Sequence, residues 1–444
     1  MQNYKDFFKG KKITVMGLGL LGGALGDIIF LAECGAQVTV TDLKTATELR
    51  SSLNKLKKYK EIKFTLGGHK TKDFKNADMI LQPGNVPTNS PYLAEARKNK
   101  IPIFVSESLF AKCEPGVRMI GITGTRGKSM TTALIYEILS KNIKNRKIFL
   151  GGNVRDTSTL ALLGKVKSGD VVVMELDSWA LHGMGEIKKS PHISIFTSFM
   201  PDHMNYYENN MEKYFDDKAN IFKFQKKGDV LIVRPHVKKI IPRDIKSKLI
   251  VADEKGVADY KFIVPGQHQR ENLSCAVLVA RLFKIPDLKI KAVVKKFKGL
   301  EGRMQYLKTI KGVKIFNDNN ATTPEATMAD IRALQEENKG GKIILISGGA
   351  DKNLELDLYV KVVNTFCKSI VLIPGTGTNK LFQNYKFKIP NEKAKNLKEA
   401  MKIALGMTSR GDIILFSPAF ASFGMFQNEY DRGDQFMKIV KELK

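Results

Sequence analysis

Apolar residues along this chain fall into short runs, each closed by glycine or a polar residue and followed by a stretch of helical period. The first run, Lys12-Ile-Thr-Val-Met16, leads into Gly17-Leu-Gly-Leu-Leu-Gly22 and then an apolar stretch to about Glu33. A short apolar run bounded by glycines predicts a buried strand, a tight turn and a helix. Gln37-Val-Thr-Val-Thr41, ending at Asp42, and Ala77-Asp-Met-Ile-Leu81, ending at Pro83-Gly84, predict two more strands. Strand, glycine turn, helix and strand form a βαβ unit. This block closes near Cys113-Glu-Pro-Gly116.

A second block opens with an apolar strand from Arg118 and a glycine-rich turn. Beyond the turn, Met130, Leu134, Ile135, Ile138 and Leu139 share one helical face, which predicts a helix starting near Ser129. Asp170-Val-Val-Val-Met174, His192-Ile-Ser-Ile-Phe196 and Asp229-Val-Leu-Ile-Val233 predict its further strands. A third block starts near Gly299-Leu-Glu-Gly302. Its strands are predicted at Val313-Lys-Ile-Phe316, Lys342-Ile-Ile-Leu-Ile346, Ser369-Ile-Val-Leu-Ile373 and Asp412-Ile-Ile-Leu-Phe416. The predicted fold is α/β with three domains over residues 1–112, 113–300 and 301–444. Each is a mostly parallel doubly wound sheet: Rossmann-like, P-loop-type and Rossmann-like in turn.

Composition narrows the class. At 444 residues, with 43% hydrophobic and 27% charged residues, the chain reads as a multidomain globular protein. It has no apolar run of the roughly 18 residues a membrane span needs. Its first residues lack the apolar core of a signal peptide, so a cytoplasmic location is expected. Cys34, Cys113, Cys275 and Cys367 lie far apart in apolar contexts and read as reduced thiols, not a disulfide frame or a metal site. Lys and Arg number 73 against 45 Asp and Glu, a net charge of +28. The lysines are scattered singly, without interleaved aromatics or an RNA-binding signature. A solvated basic surface that attracts anionic substrates is therefore expected, not a nucleic-acid partner. A monomer is expected.

Ligands of such sheets bind at the carboxyl ends of the strands, so candidate chemistry is sought just past each one. Gly124-Thr-Arg-Gly-Lys-Ser129 sits between strand and helix. Gly124, Thr125 and Gly127 let backbone N–H groups approach phosphates, and the helix N-terminus adds partial positive charge. Lys128 can reach the β/γ-phosphates and Ser129 can place a hydroxyl on Mg²⁺. Ile122 stands where a strict Walker A motif has its first glycine. Gly17, Gly19 and Gly22 with Asp42 match the dinucleotide fingerprint. Three readings stay open there: NAD, the diphosphate of another nucleotide, or close helix–strand packing.

Other candidates are individually weaker. Glu175 ends a strand beside the phosphate loop and reads as a Mg²⁺ ligand or an exposed acid. His203, next to Asp202, reads as a metal or phosphate contact or as a structural histidine. Lys218 reads as one surface lysine among many on an amphipathic helix. His268 and Asn272 belong to a polar cluster at a helix start, for capping or nucleotide recognition. Arg303 could clamp a phosphate. Asp318 could cap a helix or bind a ribose.

Taken in order and spacing, these motifs resemble the Mur ligase family, the ATP-dependent amide ligases that build the peptidoglycan peptide. The resemblance covers essentially the whole chain. It rests on Gly124-Thr-Arg-Gly-Lys-Ser129, Gly152-Asn153, Glu175, Asp202-His203, Lys218, His268 with Asn272, Gly302-Arg303, Asn317-Asp318 and Ser417-Pro-Ala-Phe-Ala-Ser422. The Gly-Leu-Gly-Leu turn at 17–20 and the Ser-Pro-Ala-x-Ala-Ser ending resemble the member that adds D-glutamate to UDP-N-acetylmuramoyl-L-alanine through an acyl phosphate.

The resemblance implies that ATP meets Lys128 and Ser129, with Asn272, Arg303 and Asp318 completing its site when the third domain closes. It implies two Mg²⁺ sites held by Ser129, Glu175, His203 and Lys218, the last as a carbamate. It implies a uridine nucleotide at Leu20, Leu21, Asp42, Leu43, Lys44, Gly84 and Asn85, with Asn153 also on the substrate, and an acceptor amino acid at Thr322, Lys352 and Ser422. The chain departs from the family's pattern at Leu21, Met130, Gly302, Met304, Gln305, Asn320 and Glu429. An added acid at 429 and a missing cation at 320 bear on the acceptor. Rival expectations are another amide ligase of this family or a folylpolyglutamate synthetase-like one, a non-catalytic nucleotide- or nucleic-acid-binding protein, and an NAD dehydrogenase.

Overall fold

The computed structural model describes residues 4–443 apart from 20, 21, 85, 87, 88, 156 and 338–340. The expectations at Leu20, Leu21 and Asn85 lie outside the described residues. The chain forms two compact units, one of Met1–Ala258 with Glu271–Ile290, the other of Asp259–Arg270 with Lys291–Lys444.

The first unit carries two sheets. In one, β1 (Lys12–Met16), β2 (Gln37–Asp42), β3 (Lys63–Leu66), β4 (Met79–Leu81) and β5 (Ile103–Phe104) lie in the order β3-β2-β1-β4-β5. All its pairs are parallel, with Val15 of β1 between Val40 and Leu81. In the other, β6 (Arg118–Thr123), β7 (Ile148–Gly152), β8 (Val171–Glu175), β9 (Ile193–Phe196), β10 (Val230–Val233) and β11 (Lys248–Val251) take the order β11-β10-β9-β6-β8-β7, again all parallel.

The central strands of both sheets are buried on both faces, as helix-covered parallel sheets require. One apolar cluster runs through both, from Val15 and Val40 by way of Leu109 and Leu160 to Leu181, Phe196 and Leu231. The join is close. A Cβ on Gly26, in the helix Gly23–Glu33, would lie 2.5 Å from Ser158 Cβ. Asp27 on the same helix, 5% exposed, accepts hydrogen bonds from Ser158 Oγ at 2.5 Å and Ser106 Oγ at 3.0 Å.

The second unit carries the third sheet: β12 (Gln305–Ile310), β13 (Val313–Asn317), β14 (Ile343–Gly348), β15 (Cys367–Ile373), β16 (Asn391–Lys393) and β17 (Ile413–Phe416), in the order β12-β13-β17-β14-β15-β16. Here β12 runs antiparallel to β13 and the other pairs are parallel. A tight turn at Gly312 (φ +83°) makes that hairpin, so two strands stand where the sequence predicted one. Its core is Ile315, Ile344, Ile346, Phe416 and Phe436. The cysteines are free: Cys34, Cys275 and Cys367 are buried and Cys113 is half-buried. Among the described residues, no helix is long and apolar enough to cross a membrane.

Candidate active site

The turn after β6 is built as a phosphate cradle needs to be. Gly124 has φ +146° and Gly127 φ +89°, and Gly127 is the residue before the helix Lys128–Asn142. A side chain at Gly124 would run into Thr197 Oγ1, and one at Gly127 would lie 2.5 Å from Asn272 Oδ1. Both glycines are therefore fixed by backbone angle and by space. Thr197 and Ser198, just past β9, hold the turn in shape. Thr125 N donates to Ser198 O at 2.8 Å, Arg126 N to Ser198 Oγ at 2.7 Å, and Thr197 Oγ1 to Arg126 O at 2.6 Å. Buried Thr125 donates to Met200 O and accepts from Met200 N, both at 3.1 Å. Lys128 Nζ lies over the turn, donating to Gly124 O at 2.9 Å. Burial lowers its pKa, and the charges of Glu175 and Asp177 oppose that shift.

Lys218 is not a surface lysine. It is 1% exposed, on the inner face of the helix Met211–Ala219, with Nζ donating to Gly124 O at 3.2 Å and lying 4.8 Å over the Tyr214 ring. Burial first, then the charge of Lys128, brings its pKa down to about 7. The helix period that put Lys218 on a polar face in the sequence reading also allowed an inward position. Its neighbour Asp217 pairs with His182 Nδ1 through Oδ1 at 2.8 Å and accepts from Tyr207 OH at Oδ2 at 3.0 Å.

Glu175, at the end of β8, is 5% exposed, and Gly152 of β7 packs so close that a Cβ would meet its carbonyl. Asn153 is exposed, with its N–H on Glu175 O at 2.8 Å. Asp177, two residues beyond Glu175, caps the helix Ser178–Glu186 by accepting from Ala180 N at 2.8 Å. His203 is exposed, with φ +54°. Its Nε2 lies 3.8 Å from Asp202 Oδ2 and its ring 4.7 Å from that of Trp179. Asn272, on the helix Gln267–Leu282, accepts at Oδ1 from Thr131 Oγ1 and from buried Arg234, both at 3.3 Å.

Ser129 is the second residue of the helix Lys128–Asn142, Glu175 is a buried carboxylate and His203 adds an imidazole, and these donor types fit Mg²⁺ with some of its own waters. Among the described residues no three His, Cys, Asp or Glu side chains stand close enough to hold a metal. The unmodified Lys218 ammonium has no lone pair to offer one.

At the other sheet of this unit the glycine turn after β1 is held by Asp42. Its Oδ2 accepts from Leu18 N at 2.8 Å and Gly19 N at 3.2 Å, and its Oδ1 from Lys44 N at 2.9 Å. The acid that the fingerprint offers to a ribose thus braces the turn itself, while Lys44 and Leu43 are exposed beside it. Gly84, past β4, abuts Trp179.

In the second unit Lys352 Nζ meets Thr322 Oγ1 at 3.0 Å, and the Ala350–Ala421 backbone pair brings the loop holding buried Ser422 alongside. Sequence reasoning overlooked Arg432. It is fully buried and donates to Asn319 Oδ1 (2.8 Å), Asn319 O (2.9 Å) and Phe420 O (3.1 Å), tying the loops after β13 and β17. The charge of Glu429 acts on both Lys352 and Arg432. Half-buried Asp318 pairs with buried Asp330: desolvation raises both acids, Asp318 to about 6, while Ser417 Oγ donates to Asp330 Oδ2 at 2.8 Å. Arg303 is exposed, and its charge lowers the Asp318 pKa against that rise.

A phosphate turn, a lysine beside a second buried lysine, and a strand-end carboxylate on a parallel sheet define a nucleotide-dependent enzyme of the P-loop kind. Three family models match in chain order: the MurD-like N-terminal domain of Mur ligases at 11–105, the Mur ligase middle domain at 122–248, and the Mur ligase glutamate ligase domain at 302–420. The UDP-N-acetylmuramoylalanine–D-glutamate ligase of Roseiflexus sp. is 33% identical, with 98% of this chain and 99% of that one aligned. The enzyme of that name from Borreliella afzelii is also 33% identical, over 99% of each. The crystal structure of the UDP-N-acetylmuramate-alanine ligase of Thermotoga maritima shares the fold, with a TM-score of 0.59 at 16% identity over 98% of this chain and all of that one. The chain belongs to the Mur ligase family.

Proposed function

We propose that the protein is an ATP-dependent ligase that joins D-glutamate to UDP-N-acetylmuramoyl-L-alanine in peptidoglycan precursor synthesis. The observation that carries this reading is the convergence of Lys128, Lys218, Glu175 and Asn272 on the turn at 124–129, in a chain aligned end to end with D-glutamate ligases. Residues 1–112 would hold the uridine nucleotide, 113–300 ATP, and 301–444 the acceptor.

The donor's alanyl carboxylate attacks the γ-phosphorus of ATP, giving an acyl phosphate and ADP. The amine of D-glutamate then attacks the acyl carbon, and the tetrahedral adduct collapses to amide and phosphate as the amine loses its proton. Lys128 and the backbone N–H groups of the turn neutralise and orient the phosphates, the chief need in phosphoryl transfer. Mg²⁺, when bound, screens phosphate charge; Ser129, Glu175, His203 and a carbamylated Lys218 are the residues that would hold it.

A lysine amine with a pKa of about 7 is about half unprotonated at neutral pH, the form that adds CO₂, and carbamylation turns it into an anion. Thr322, Lys352 and Ser422 offer a cation and two hydroxyls to acceptor carboxylates. Glu429, acting on that lysine, favours a second reading in which the acceptor carries less negative charge. Mass analysis of a reaction with ATP, Mg²⁺, UDP-MurNAc-L-Ala and D-glutamate tests the first reading. A product heavier by one glutamyl residue is expected, and an unchanged donor would refute it.

A further inference from the structure

Trp179 stands at the second position of the helix Ser178–Glu186, just beyond Glu175 and Asp177. Its ring faces His203 at 4.7 Å and Tyr206 at 5.6 Å. The backbone of Gly84 comes so close that a Cβ there would lie 2.8 Å from Trp179 Cβ. One side chain thus touches the turn after β4 of the first sheet and the loop after β9 of the second.

The contact has an unfilled polar side. Trp179 Nε1 is buried and has no hydrogen-bond partner, and the same holds for Gln82 Oε1. Both residues line one cavity of about 10 Å³, with Gly84, Val86, Arg97 and Tyr206. That volume suits a single water-sized group, here placed between a donor and an acceptor. A buried indole N–H usually finds a hydrogen-bond partner, and this cavity is where a water or a ligand atom would supply one.

We propose that Trp179 is a positioning residue that couples occupancy of the Gly84 turn by the donor nucleotide to the placement of His203. The role rests on the ligase reading above. His203 is exposed, in a left-handed backbone conformation, and the Trp179 face is the ring surface against which it packs. A donor seated at Gly84 presses on the same indole, so the two sites share one rigid side chain.

Two variants and one titration test this. W179F keeps a ring against His203 and removes the N–H; W179A removes both. In steady-state assays of ADP release, W179A is expected to lower kcat by about 10- to 100-fold and to raise KM for UDP-MurNAc-L-Ala, leaving KM for ATP unchanged. W179F is expected to hold kcat within about threefold of the parent. Trp179 is the only tryptophan of the chain, so the unmodified protein reports directly: UDP-MurNAc-L-Ala alone should change its emission. Unchanged kinetics in W179A, an equal rise in both KM values, or an emission unmoved at saturating donor would each overturn the positioning role. A parent protein that releases no ADP with donor and D-glutamate would instead overturn the ligase reading, and this role with it.

Discussion

At the scale of single residues, burial decides what a side chain can do. Lys128 and Lys218 carry the same chemistry, yet their surroundings separate them. Lys128 is half-buried, with Glu175 and Asp177 supporting its charge, whereas Lys218 is fully buried, and that burial with the charge of Lys128 outweighs the support of Asp177, Asp202 and Asp217. Lys218→Ala is expected to lower kcat by at least about 100-fold, with partial recovery on adding a short carboxylate such as acetate. Full activity in the plain variant would remove the carbamate from the account. Gly127→Ala places a Cβ 2.5 Å from Asn272 Oδ1 at φ +89°. It should raise KM for ATP by about tenfold or more while the donor KM holds, as measured by ADP release. The candidate site was legible where its chemistry lies on the glycine-rich turn or directly past a strand. Lys218 was legible only through the family's motif order, because nothing in an amphipathic helix tells an inward lysine from an outward one. Arg432 gave no signal at all: its role comes from loops brought together across the third sheet.

At the scale of elements, the strands read from apolar runs are the inner strands of the three sheets. Those left unread are β3, β5, β7, β11, β12 and β16, which are the six edges. An edge strand has a neighbour on one side only and less need for apolar residues on both faces, so its run is short or mixed, as in Lys63-Phe-Thr-Leu66. The joint between the first two sheets offers a test. Burial raises Asp27 to about 6, while its bonds from Ser158 and Ser106 pull the other way. A carboxyl raised on folding costs the fold nothing below its unfolded value of about 3.9 and costs most once pH has climbed past its folded one. Asp27→Asn keeps an acceptor for both hydroxyls and cannot ionise. Its unfolding free energy should gain on the parent by about 2–3 kcal/mol between pH 4 and pH 7.5 in urea titrations. Parallel pH profiles would contradict that picture of the joint.

At the scale of the whole molecule, the basic charge finds a use without any nucleic acid. Every substrate in the proposed reaction is an anion, and a net charge of +28 raises their local concentration. The value of kcat/KM for the donor should fall as salt rises from about 0.05 to 0.5 M, as screening shortens the reach of surface charge. Acceptor choice is where the account commits itself most, because Glu429 brings a negative charge to bear on Lys352 and Arg432. The most direct measurement is therefore ADP release with ATP, Mg²⁺ and UDP-MurNAc-L-Ala across a panel of amino acids. The account predicts rapid release with D-glutamate and little with L-glutamate, D-alanine, L-lysine or diaminopimelate. Release driven by any of those in place of D-glutamate would contradict it.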